Sequence, residues 1–104
     1  MNIIFTRDGT TLTVALEGRL DTVSAPELEN GLKPALDGIS LLVFDLRNLT
    51  YISSAGLRIL LSARKAMEQQ GRMSVRHVRP EVMKILEVIG FVKILDIEPE
   101  EGDK

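Results

Sequence analysis

Hydrophobic and polar residues alternate along this chain with two periods, and the changes of period mark its elements. Residues 2–6 lead into Asp8-Gly9, a two-residue hairpin signal; residues 11–17 then set Leu12, Val14 and Leu16 against Thr11, Thr13, Ala15 and Glu17. This predicts an antiparallel pair whose second strand turns its leucines and valine to the core. Gly18 ends the run, and Leu20-Asp21-Thr22 reads as a short connector. Ser24-Ala25-Pro26-Glu27 has the spacing of a capping box, with proline at an early helical position where it is tolerated. Leu28, Leu32 and Leu36 recur every fourth residue and form one buried stripe. Pro34 predicts a bend or break near the end of that helix, and Asp37-Gly38 a stop. Residues 41–44 are continuously apolar, as expected of a central strand buried on both faces, and residues 45–50 read as the connection out of it. A helix then opens within Tyr51-Ile52-Ser53-Ser54-Ala55-Gly56-Leu57-Arg58 and runs toward Gln70. Leu57, Leu60, Leu61, Arg64 and Met67 share one side of it, and Gly71 closes it. Met73, Val75 and His77 alternate with Ser74, Arg76 and Val78, predicting a strand over 72–78. Pro80-Glu81 starts a third helix with Val82, Ile85, Leu86 and Ile89 as its apolar face and Gly90 as its stop. Residues 91–97 read as a last short strand or strand-like segment.

The order β-β-α-β-α-β-α-β predicts a small α/β domain. Right-handed crossovers join parallel strands, and the opening hairpin adds an antiparallel edge to a mixed sheet. A length of 104 residues points to one domain with a modest core. Residues 1–97 are read as that domain and residues 98–104 as an acidic tail, since four acids and one base fall in those seven positions.

Composition narrows the chemistry. The chain has no cysteine and one histidine, so disulfides, thiol catalysis and Cys/His metal clusters are excluded as readings. No apolar run approaches the roughly 20 residues that span a bilayer. The N-terminal residues lack the basic-then-apolar order of a signal peptide, so a cytoplasmic location and no membrane association are expected. Between residues 58 and 79, six bases (Arg58, Arg64, Lys65, Arg72, Arg76, Arg79) face one acid, Glu68. Aromatics for stacking are scarce there and the net charge of the chain is −2, so this reads as a solvated or partner-docking face with no direct contact to nucleic acid.

A catalytic reading fails on the same inspection. Ser53-Ser54-Ala55-Gly56 lies at a strand-to-helix turn without the Gly-x-Ser-x-Gly pattern of a nucleophile elbow. His77 falls in a predicted strand with no acid nominated to orient it, and Gly56 alone cannot build a Walker-type phosphate cradle. The chain is therefore read as a non-enzyme needing no cofactor and no metal. What the junction does offer is a hydroxyl pair at a helix start. Ser53 or Ser54 can cap the helix, and a phosphate added there is electrostatically tolerated.

Three stretches carry a resemblance: Leu16-Glu17-Gly18-Arg19-Leu20-Asp21, Phe44-Asp45-Leu46-Arg47-Asn48-Leu49-Thr50-Tyr51, and Ile52-Ser53-Ser54-Ala55-Gly56-Leu57. In order and spacing they resemble the signatures of STAS domains, specifically the stand-alone bacterial anti-sigma factor antagonists. The resemblance covers roughly residues 2–97. It implies a partner-switching protein: the unphosphorylated form binds an anti-sigma serine kinase and frees a sigma factor, phosphorylation abolishes binding, and a PP2C-type phosphatase restores it. Aligned on Gly56-Leu57, the family's Asp-Ser-Ser/Thr-Gly-Leu pattern makes Ser54 the phosphoacceptor, with Ser53 as second choice. Ser53 stands where the family has aspartate, and Ala55 where it has a second hydroxyl. The resemblance further implies a partner-binding surface of Asp21, Thr22, Ser53, Ser54, Gly56, Leu57 and Arg58, on a monomer or weak dimer. The alternatives it leaves open are an accessory subunit of a lipid or anion transporter, or a stress-complex scaffold, neither with a phospho-switch.

Overall fold

The computed structural model describes residues 1–98. Four strands, β1 (Asn2–Asp8), β2 (Thr11–Leu20), β3 (Leu41–Ile52) and β4 (Arg72–Arg76), form one sheet in the order β1-β2-β3-β4. β1 and β2 pair antiparallel around Gly9, while β2–β3 and β3–β4 pair parallel. The crossovers are made by α1 (Ala25–Ala35) and α2 (Ser54–Glu68); α3 (Pro80–Val88) follows β4, and a single 3-10 turn covers Phe91–Lys93. The mixed α/β architecture read from the sequence is the one observed.

Register explains where the core lies. Leu12 pairs with Leu42 and Leu42 with Met73; Val14 pairs with Phe44 and Phe44 with Val75. These side chains therefore line one face, where they join Leu28 and Leu32 of α1, Leu57, Leu60 and Met67 of α2, and Val82 and Leu86 of α3 in one cluster. At about 25 cal/mol per Å2 of apolar area removed from water, this shared burial is what holds the helices on the sheet.

The differences from the sequence reading have physical causes. β2 does not end at Gly18 but continues to Leu20, and β3 does not end at Phe44 but continues to Ile52. The register slips between Ala15 and Glu17 and again between Gly18 and Arg19, each time leaving one extra residue in β3. Each slip breaks strict alternation, so the buried Leu46, Leu49 and Ile52 fall three apart and mimic a loop. β4 stops at Arg76 because His77 adopts a left-handed backbone, φ +57°. Gly71 has no positive φ; a Cβ there would meet the Ser40 carbonyl oxygen at 1.9 Å, so glycine is required by close approach rather than by helix termination. Finally, residues 91–97 form no full strand. After the 3-10 turn the chain touches β4 through one bridge, Val75 with Ile97, where the Val75 N–H donates to Asp96 O and the Glu98 N–H donates to Val75 O. Glu98, read as the first tail residue, also accepts from Ser74 Oγ at 2.5 Å; the remainder of the expected tail, 99–104, lies outside the described residues.

Candidate functional site

The C-terminal ends of β2 and β3 bring two helix starts side by side. The Ser53 N–H donates to the Leu20 carbonyl at 2.9 Å, so the chain leaves the sheet after residue 20 toward α1 and after residue 53 toward α2 from adjacent points.

At the first exit, the capping box forms three residues earlier than its sequence spacing suggests. The Ser24 and Val23 N–H groups both donate to Asp21 Oδ1 at 3.1 Å, and the Asp21 N–H donates to Ser24 Oγ at 3.0 Å. Asp21 and Ser24 thus satisfy each other reciprocally, while Ser24 makes no side-chain cap to α1 and Glu27 is not engaged as its partner. Ser24 Oγ also donates to the Arg19 carbonyl at 2.8 Å, and the residue is buried. The N–H bonds from Ser24 and then Val23, with the Arg19 guanidinium 4.0 Å away, hold the Asp21 carboxyl below the usual carboxylate range. Arg19 itself lies over the Tyr51 ring at 4.2 Å.

At the second exit the two serines divide the roles the sequence left open. Ser53, extended at φ −96° and ψ 176°, is the N-cap of α2, and its Oγ accepts from the Gly56 N–H at 3.4 Å. Ser54 is the first residue of the helix, exposed, with no side-chain hydrogen bond among the described residues.

The surface expected from the sequence is therefore built from two layers. Asp21 and Ser53 are partly buried and committed to turn and cap; Thr22, Ser54 and Arg58 face outward. Gly56 and Leu57 lie inside. A Cβ on Gly56 would come within 2.7–2.9 Å of Leu20 and Ile52, so this glycine lets α2 sit against the strand ends and shapes the surface from beneath. Val23, absent from the sequence reading, is 88% exposed at the tip of the Asp21–Ser24 turn. An apolar residue outside every stripe, between Thr22 and Ser24, was the available signal. His77, set aside as a base, has its Nε2 3.0 Å from an Arg47 guanidinium nitrogen.

The basic stretch is not a uniform cationic face. Arg64 pairs with Glu68, Arg76 with Glu98 and Arg79 with Glu81. Among the described residues no group of His, Asp or Glu could hold a metal ion, and no helix is long and apolar enough to cross a membrane.

Residues 3–96 match the family described as MlaB, STAS domain. Over 88 residues the chain is 36% identical to BtrV of Bordetella bronchiseptica, a protein assigned as an anti-sigma factor antagonist, covering 83% of this chain and 76% of that one. The fold superposes on an anti-sigma factor antagonist from Mycobacterium paratuberculosis with a TM-score of 0.86 at 23% identity, covering 98% of this chain and 88% of the other. It also superposes on the antagonist SpoIIAA in its unphosphorylated form, with a TM-score of 0.81 at 18% identity and coverage of 96% and 90%.

Proposed function

The chain belongs to the STAS domain family, and from that premise we propose that it is an anti-sigma factor antagonist switched by phosphorylation of Ser54. In this reading the unmodified domain binds an anti-sigma factor that is a serine kinase, and so releases a sigma factor in the cytoplasm. The kinase transfers the γ-phosphoryl group of ATP to Ser54 Oγ with release of ADP, and a PP2C-type phosphatase hydrolyses the phosphoserine. The domain supplies surface and acceptor, not catalysis.

The observation that carries the reading is the division of labour between the two serines. Ser53 is the cap, and Ser54 is an exposed residue whose hydroxyl makes no hydrogen bond among the described residues. The relatives named as antagonists, and the SpoIIAA structure named by its unphosphorylated state, point the same way. A phosphate on Ser54 brings about −1.5 to −2 charges. Backbone N–H groups of the first turn of α2 accommodate an anion there, so the fold persists. A partner surface fitted to a neutral hydroxyl is repelled.

The test is incubation with candidate serine kinases and ATP, followed by phosphosite mapping. One phosphate on Ser54, and none on the S54A variant, is expected. Stoichiometric modification of S54A overturns the assignment. A second reading, left open by the resemblance, is an accessory subunit of a lipid or anion transporter. Neighbouring genes separate the two: a serine kinase or phosphatase gene supports signalling, a permease and ATPase support transport.

A further inference from the structure

Arg58 lies four residues after Ser54 on α2, so the two side chains stand one turn apart on the same side of the helix, with Cβ atoms roughly 5–6 Å apart. Both are exposed, while Leu57, Ile59 and Leu60 turn inward. The Arg58 side chain makes no hydrogen bond or ion pair among the described residues. The other charged groups at the junction are engaged. Arg19 is held over Tyr51 and beside Asp21, and one oxygen of the Asp21 carboxylate collects the donors of its own turn.

A serine hydroxyl gives a guanidinium little to bind. A phosphate in the same place offers three strong acceptor oxygens matched to the two parallel N–H donors of arginine. An acid placed four residues before a cation is also the favoured order along a helix. We propose that Arg58 reads the modification from within the chain: a phosphate on Ser54 pairs with the Arg58 guanidinium one helical turn away. Phosphorylation then does two things at once. It places an anion where the partner expects a hydroxyl, and it withdraws a cation otherwise free to meet an acidic group of that partner. This inference rests on the reading of Ser54 as the acceptor.

The experiment installs phosphoserine at position 54 by codon reassignment in the full chain, without a kinase. The second ionisation of the phosphate is followed by 31P NMR, and the Arg58 Nε–H by 15N spectra. The expected result is a phosphate pKa about half a unit lower in the otherwise native chain than in the R58Q variant, the scale of an exposed ion pair. The Arg58 Nε–H resonance moves when phosphoserine replaces serine, and an R19Q variant keeps the full shift. Equal pKa values in the native and R58Q chains, or loss of the shift in R19Q, overturn the pairing. Such a failure leaves the acceptor assignment standing, because kinase mapping tests that assignment separately.

Discussion

Two serines stand at neighbouring helix starts in this domain and have been given opposite fates. Ser24, before α1, is buried, accepts from the Asp21 N–H and donates to the Arg19 carbonyl. Ser54, at the start of α2, is exposed and its side chain makes no hydrogen bond among the described residues, because Ser53 already caps the helix. The same residue type is structure in one place and available chemistry in the other. What separates them is whether a neighbour has already met the backbone's need for a partner.

The largest effect should come from disturbing the platform beneath both. Gly56→Val forces a branched side chain into Leu20 and Ile52, where even a Cβ has 2.7–2.9 Å. Overpacking of this kind costs about 3 kcal/mol, read as a lowered urea midpoint. An unchanged midpoint would show that the close approach of α2 to the strand ends is not needed.

A smaller and more discriminating effect is expected from alanine at the two serines. Ser24→Ala leaves a partly buried N–H and carbonyl without their partner and should cost about 1–2 kcal/mol. Ser54→Ala should stay within about 0.5 kcal/mol of the native chain. Equal losses in the two variants would erase the distinction between them.

The sequence showed one of these helix starts more clearly than the other. The junction at residues 51–58 was legible because an apolar strand, two hydroxyls, a glycine and an apolar stripe follow one another there. The first start was misplaced: Ser24 and Glu27 have capping-box spacing, yet Asp21 and Ser24 form the box, within the turn that joins the end of β2 at Leu20 to the start of α1 at Ala25. β3 past Phe44 was hidden by the two extra residues that break its alternation, and the segment after α3 by its reduction to one bridge. Contacts distant in sequence decided the course of β3 and of the last segment, and local pattern does not encode them. Gly56 and Leu57, which the resemblance implied as interface, are buried, since a sequence motif does not say which of its residues reach the surface.

The smallest effect concerns acid. Hydrogen bonds hold Asp21 (first from the Ser24 N–H), Glu81 (first from its own backbone N–H) and Glu98 (first from Ser74 Oγ) below the ordinary carboxylate range. Their folded pKa values lie under the unfolded ones, so the stability they contribute is present above the ordinary range. It is lost as pH falls through that range and on through the depressed values. Asp21→Asn should flatten this acid limb of the stability curve, while Ser54→Ala should not. An acid limb left unchanged in the Asp21 variant would detach Asp21 from the Ser24 side of the comparison.

The proposed switch requires that charge on Ser54 change what the domain binds without changing how it folds. Its most direct test is the affinity of the cognate anti-sigma kinase for the native chain, for the chain stoichiometrically phosphorylated at Ser54, and for S54A, each alongside its thermal midpoint. A loss of affinity of about 100-fold or more is expected on phosphorylation, with native binding by S54A and a midpoint moved by only a few degrees, as for a surface change of about 0.5 kcal/mol. Undiminished binding by the phosphorylated, folded chain, or binding lost only together with the fold, would contradict it.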